Sequence, residues 1–485
     1  MRFDLRWLVV SSLVISNMTV AALAAGAETR PQYGGTVRVA MRTAPASFDP
    51  VELDAADIVH GDSDSFAQRS LTILMFDTLV TTGESGRVQP WLAESWQSAP
   101  GNQRWQLRIR SGVKFHDGTT LSAEVVAASL RAANPAWRVS VAGDAVVIEL
   151  GGPDPDLLAE LALERNAIVK RNPQGTPSGT GPFHVVDWQP GKQLALAANE
   201  DCWRGRPFLD TLEIEMGKSF REQMTELELG RADLVEMAAE QTHLFSQSQV
   251  SQNRDAQEGR RLASSAPVEL LALVFAHDAA SPDEKLLRQA LALSVERGSI
   301  KSVLLQGAGQ PAASILPNWM SGYGFVFPTG ADLARARQAR EQVHTATTWT
   351  IGYGDGDPVD RLLAERIALN ARDAGLSLQP TSAAAADLRL VRIPLKSNDP
   401  WITLENVAAL AGTSVGKTGG SFDELYTSES AVLATQRLIP LFHLPVSYAA
   451  AATLRNWGLR ADGSWTLADA WLETAKLMIG APVTL

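Results

Sequence analysis

Strand-like alternation and helix-like periodicity take turns along this chain, which restricts it to a layered fold with helices packed on sheets. Residues 35–40 (Gly-Thr-Val-Arg-Val-Ala) alternate as a strand, and Pro45-Ala-Ser-Phe-Asp-Pro50 breaks them into a loop. The stretch 51–65 is acidic and turn-rich, and 71–80 reads as a buried helix ending near Gly83. Residues 105–110 alternate again, and 113–116 before Asp117-Gly118 have strand-then-turn chemistry. Ser122 can cap the helix behind it, with Glu124 favoured in its first turn. Ser281-Pro282-Asp283-Glu284 spells a capping box with proline at the first helical position, followed by an apolar face at Leu286, Leu287, Ala290, Leu291 and Leu293. Residues 358–374 predict another helix, stopped by Gly375, before a strand at 376–380. The fold class is α/β or mixed α+β.

The N-terminus sets an expected compartment. Arg2 and Arg6 precede an apolar stretch over 7–20, and small residues follow at 22–27, the order of a secretory signal peptide cleaved near Ala24 or Ala27. Ser11, Ser12, Ser16 and Asn17 interrupt the stretch, which is short for crossing a bilayer. A periplasmic mature chain with no membrane insertion is expected. Roughly 455 residues then remain, too many for one core and enough for two or three domains. The single cysteine, Cys202, excludes an internal disulfide and is too far from the cleavage region to carry a lipid. The net charge is −11 in all, and −12 without Arg2, Arg6 and Asp4, which disfavours nucleic acid as a partner.

Several segments, taken in order, resemble the family 5 extracellular solute-binding proteins, the peptide and nickel binders of ABC importers. They begin with Tyr33-Gly-Gly-Thr-Val-Arg-Val-Ala40, Phe48-Asp49-Pro50, Phe76-Asp-Thr-Leu-Val80 and Val88-Gln-Pro-Trp-Leu-Ala-Glu-Ser-Trp96. The strongest is Leu107-Arg-Ile-Arg-Ser-Gly-Val-Lys-Phe-His-Asp-Gly-Thr119. Gly179-Thr-Gly-Pro-Phe183, Asn199-Glu-Asp-Cys-Trp-Arg-Gly-Arg-Pro207, Leu229-Gly-Arg-Ala-Asp233, Leu287-Arg-Gln-Ala-Leu-Ala-Leu-Ser-Val-Glu-Arg297 and Ile439-Pro-Leu-Phe-His443 follow. Any one is a weak signal; their order is specific.

The resemblance implies a two-lobed periplasmic binding protein fold with an inserted domain and a hinge that the chain crosses twice. Residues 28–60, 178–262 and 449–485 would form a discontinuous domain, 61–177 the insert and 263–448 the opposite lobe. Gly179 and Gly181 are expected to supply unusual backbone angles beside Pro182, where the chain crosses between lobes. The implied function is reversible capture of a small solute or peptide for an importer permease, by a monomer with no cofactor and no catalytic residue. Cleft candidates are Phe48, Asp49, Arg392, Lys396, Asp399 and Trp401. One departure from the family bears on the solute. Where its peptide binders carry an aspartate that holds a peptide's amino group, this chain has Lys396, with Arg392 and Arg389 nearby. Strand alternation would put Arg392 and Lys396 on one face. Two such cations would favour an anionic or neutral solute, or a peptide held by its carboxylate end.

Other motifs carry less. Ala411-Gly-Thr-Ser-Val-Gly-Lys-Thr418 matches a relaxed phosphate loop, and Gly412-Thr-Ser-Val-Gly416 a nucleophile elbow with His443 downstream. Both require a preceding strand, whereas 402–410 reads as helix, so a surface loop is expected. Asp57, His60, Asp62 and Asp64 could supply ligands to a divalent ion, as could Asp355, Asp357 and Asp360. Clustered loop aspartates are ordinarily solvated turn residues, and no metal is expected. Cys202 reads as a packed thiol. A sensor or scaffold that kept the fold, or more remotely a serine hydrolase, are the alternatives.

Overall fold

A computed structural model describes residues 30–52, 65–83, 86–172, 175–241, 261–344, 348–354, 358–415 and 420–473. The expectations for the signal segment, for Asp57, His60, Asp62 and Asp64, for Asp355 and Asp357, and for residues 416–418 of the loop motif lie outside the described residues.

In chain order the elements used below are β1 (Thr36–Ala40), α1 (Ser65–Met75), β2 (Ala93–Ser98), β3 (Arg104–Ile109), α2 (Ala123–Ala133), β4 (Arg138–Ala142) and β5 (Ala145–Glu149). They continue with β6 (Phe183–Gln189), β7 (Gln193–Ala198), β8 (Thr211–Glu215), β9 (Leu234–Met237), β10 (Arg261–Phe275) and α3 (Pro282–Ser294). The last are β11 (Thr348–Gly352), α4 (Pro358–Asp373), β12 (Ser377–Thr381), β13 (Leu388–Pro394), α5 (Pro400–Leu410), α6 (Phe422–Ala434) and β14 (Leu438–Ala450).

Ten of these strands, joined by the two-residue strand Gln310–Pro311 beside β14, form one eleven-stranded sheet in the order β6-β7-β8-β1-β9-β14-β10-β13-β11-β12. The pleat explains the burial. In β1 Val37 and Val39 point into the core, and in β3 Trp105, Leu107 and Ile109 are buried while Arg104, Gln106 and Arg108 are exposed. The first half of the sheet shares a core with α1 through Val37, Leu71, Leu74, Phe183 and Leu212. A separate four-stranded sheet, β2-β3-β5-β4, packs its own core against α2 through Leu107, Phe115, Val126, Leu130 and Ile148. The second half of the large sheet is covered on both faces. Helices α3 and α4 lie over Leu273, Ile351 and Leu390, and α5 and α6 over Leu270, Ala272 and Ile393.

Two long strands carry the chain between the halves. In β10, Arg261–Ser264 pair with Ala450–Ser447 of β14, beside β9. Farther along, Glu269–Phe275 pair with β13 on one side and with β14 on the other. The register shifts on both sides of the pair Pro267–Pro445. Neither proline has an N–H to give the ladder, so hydrogen bonding is thinnest at the crossover. A hairpin of Gly458–Leu459 and Trp465–Thr466 lies over this point, and Gly463, at φ +85°, sits where a Cβ would meet Val268 and Val446 at 2.8 Å.

Caps at Ser122 and Ser281 form as expected, each accepting from the N–H three residues on. Glu284 binds the Ala280 N–H rather than that of Ser281, so only half of that box closes. Three expectations are corrected. The helix expected over 71–80 instead runs Ser65–Met75, because Asp77 leaves it to accept from Trp91 Nε1 (2.7 Å), Trp203 Nε1 (3.0 Å) and Thr180 Oγ1 (2.7 Å). The strand expected over 113–116 shrinks to one antiparallel bridge, Lys114 to Thr120, closed by the expected turn at Asp117-Gly118, where the Gly118 N–H bonds the Phe115 carbonyl. Neither Gly179 nor Gly181 has a positive φ. They are glycines because the strand entry lies directly on the end of α1, where a Cβ on Gly179 would stand 2.0 Å from the Met75 carbonyl and one on Gly181 2.6 Å from that of Leu74.

That approach sets a test. Gly179→Ala is expected to lower stability by at least about 3 kcal/mol, since backbone must move, whereas Gly151→Ala, with open space around it, changes it by under about 1 kcal/mol. Denaturant unfolding of both variants checks this; equal midpoints would contradict the packing.

Candidate ligand cleft between the lobes

A cavity of ≈ 190 Å³ lies where α1, the inserted part, the 458–466 hairpin and the loop after β13 meet. Arg69 is its centre. The guanidinium reaches Glu164 at 3.0 Å, Asp462 at 3.2 Å and the main-chain carbonyl of Lys396 at 2.7 Å, and the side chain is 5% exposed. Two carboxylates and a carbonyl satisfy a cation that burial alone would make very unfavourable. Asp462 is held by its own turn, accepting from the Ser464 N–H and hydroxyl. Burial opposes its ionisation, but Arg69, Arg460 and Ser464 outweigh that and keep its carboxyl below the usual range. The charged groups on the wall are Arg69, Arg460 and Lys396 against Glu164 and Asp462, one positive charge in excess.

The expected site residues separate. Lys396 lines this cavity with Ser397 and Asn398. Arg392 does not: it lines a smaller space of ≈ 50 Å³ at the crossover, where it binds Asp360 at 2.8 Å and Glu269 at 3.3 Å. Strand β13 ends at Pro394, so the pleat does not carry the Arg392 face on to Lys396. Asp399 caps α5, accepting from the Trp401 and Ile402 N–H groups at 2.9 and 3.1 Å. Trp401 packs half-buried on the core beneath α5. Phe48 is buried edge-on to Trp188, ring centres 5.2 Å apart, and Asp49 pairs with Arg171 at 2.6 Å. Arg389 donates to the carbonyls of Ala383 and Ala384.

Sequence reasoning missed Arg69, Glu164, Arg460 and Asp462. A signal existed for the first: Arg69 lies beside the apolar face formed by Phe66, Ala67, Leu71 and Leu74, in a helix otherwise free of charge. The loop motif at 411 follows helix α5, so no strand leads into it. His443 lies buried in β14 with Nε2 3.0 Å from the Ile315 carbonyl, and burial pushes its ring down to about 4. Cys202 is buried, and burial raises its thiol. Among the described residues no group of three or more His, Cys, Asp and Glu could hold a metal, and no helix is long and apolar enough to cross a membrane.

A continuous sheet shared by two lobes, with a polar cavity walled from both, defines the periplasmic binding protein fold. The chain belongs to family 5 of the bacterial extracellular solute-binding proteins, whose middle-region model matches residues 87–399. It is similar to the nickel-binding protein NikA of Staphylococcus aureus, 24% identical over 253 residues that make up 49% of each chain. The match therefore spans about half the length of that curated relative. Among solved structures, DppA from Helicobacter pylori with the peptide STSA superposes over 93% of this chain and 100% of its own, at 16% identity and TM-score 0.77. AgaA from A. tumefaciens R10 with agropinic acid superposes over 91% and 99%, at 17% identity and TM-score 0.74.

The buried histidine gives a pH prediction. Folded, His443 stays neutral down to about pH 4; unfolded, it protonates near 6.5. Between these values the unfolded chain binds the extra proton, so stability is full above about pH 6.5 and falls as pH drops toward 4. His443→Gln keeps a donor for Ile315 without titrating. Wild type is expected to lose up to about 3 kcal/mol more than the variant across this window in urea titrations. Parallel pH profiles would contradict this.

Proposed function

We propose that this protein captures a small solute reversibly between its lobes and delivers it to the permease of an ABC importer, from the periplasm, with its signal segment removed. In this reading residues 28–60, 178–262 and 449–485 form one lobe with 61–177 inserted in it, and 263–448 form the other. The observation that carries it is the ≈ 190 Å³ cavity whose walls come from both lobes, bridged by the hydrogen bond from Arg69 to the Lys396 carbonyl. A cavity of this size suits a solute smaller than a drug-sized ligand, for which pockets of roughly 300–1,000 Å³ are usual. Family membership supports the reading, as do relatives named for peptides and nickel and a fold neighbour solved with agropinic acid.

The solute is anionic or neutral, or a peptide gripped by its carboxylate end. A buried ammonium needs a carboxylate partner, and both carboxylates of this cavity already bind Arg69. Native mass spectrometry of protein purified without unfolding is expected to find one small molecule bound per chain, and adding it back raises the melting temperature by mass action. In calorimetry wild type rejects free-amine dipeptides, and Lys396→Asp binds them at least tenfold better. Tight dipeptide binding by wild type, not improved in the variant, would contradict the charge argument.

A further inference from the structure

A second chamber of ≈ 90 Å³ adjoins the first, with Glu164, Arg460, Ala162 and Thr466 lining both. It lies between the inserted part, the end of α1, the loop between β7 and β8 and the C-terminal hairpin, and its remaining charged groups are Asp77 and Arg204. Both carboxylates on its wall are already engaged. Asp77 accepts from Trp91, Trp203 and Thr180, and Glu164 is held by Arg69. The cations are placed differently. Arg204 lies over the Trp91 ring at 4.5 Å and beside Trp203 at 5.8 Å, and among the described residues its guanidinium meets no hydrogen-bond acceptor. Arg460 makes a looser ion pair with Asp462, 3.6 Å apart and beyond hydrogen-bond distance, at the wall common to both chambers.

We infer that this second chamber is a carboxylate-binding subsite formed by Arg204 and Arg460, and that the solute carries a carboxylate head into it while its body occupies the larger cavity. The inference rests on the capture reading above and names the chemistry of the solute. The cation–π contact with Trp91 positions the Arg204 guanidinium while its N–H groups meet no acceptor among the described residues, and a guanidinium in that state suits bidentate recognition of a planar carboxylate. The volume admits a group of about three water molecules, so a head fits and a whole solute does not. Glu164 is paired with Arg69, and the Asp77 oxygens are taken up by neutral donors; across the two chambers Arg69, Arg204, Arg460 and Lys396 face Asp77, Glu164 and Asp462, one positive charge in excess for an entering anion.

The test is calorimetric titration of the full mature protein with dicarboxylates from malonate to adipate, with their monoamides and with inorganic phosphate. At least one diacid is expected to bind, with its monoamide at least tenfold weaker and phosphate weaker still. Arg204→Gln and Arg460→Gln each lose at least tenfold, while Arg108→Gln, which breaks an exposed ion pair with Asp144, stays within twofold. Arg204 is exposed, so its variant is expected to melt with wild type. Diacid affinity within twofold in Arg204→Gln, equal binding of acid and monoamide, phosphate binding as tight as the diacid, or no diacid bound would each overturn the subsite. A solute found by native mass spectrometry that binds Arg204→Gln undiminished removes the subsite and leaves capture standing. No retained solute and no binding by wild type strikes the capture reading itself.

Discussion

Arg69 is a cation taken out of water where four separate stretches of chain converge, and the cleft takes its form from the groups that satisfy it. Glu164 arrives from the inserted part and Asp462 from the C-terminal hairpin, so both ion pairs tie pieces of one lobe together. The bond to the opposite lobe is of another kind, a hydrogen bond to the Lys396 main-chain carbonyl. Breaking either buried ion pair would strand a charge, at about 3–5 kcal/mol. Releasing the carbonyl exposes it to water that can replace the bond, at about 1.5–3 kcal/mol. The stronger interactions therefore lie within one lobe, and in the proposed capture reading closure across the cleft would rest on the weaker one, which a solute could tip.

The crossing strands complement that arrangement. β10 and β14 run unbroken through both halves of the sheet, which keeps the lobes in register. Pro267 opposite Pro445, with register shifts on either side, removes ladder hydrogen bonds at the point where rotation would occur. Hydrogen bonds involving side chains span this point, among them Ser264 to Ser447 at 2.7 Å, the Val446 N–H to the Ser265 hydroxyl at 3.1 Å and Trp319 Nε1 to the Pro267 carbonyl at 2.8 Å. These can follow a few degrees of twist without being lost.

Much of the fold was legible because local pattern and burial agree. The alternation at Trp105, Leu107 and Ile109, the caps at Ser122 and Ser281, and the helix stopped before Gly375 need only near neighbours to form. The errors came where distant partners decide. Asp77 ends α1 because two indoles and a threonine from elsewhere claim its carboxylate, and nothing in residues 71–80 announces them. Of the cleft candidates, Lys396 lines the cavity, whereas Arg392 is held elsewhere by Asp360 on α4 and Glu269 on β10, partners far away in sequence that no local pattern announces. Arg69 passed unnoticed, although the one charge in an otherwise uncharged, largely buried helix is the kind of mismatch that marks a buried ion pair.

The central claim is that the lobes close on a solute about the Pro267–Pro445 crossover. Small-angle scattering of the mature protein, first stripped of solute by unfolding and refolding and then titrated with the molecule identified by native mass spectrometry, tests it most directly. The account predicts a radius of gyration that falls as the solute is added and saturates at one equivalent. A radius unchanged through a titration in which calorimetry records full binding would contradict it.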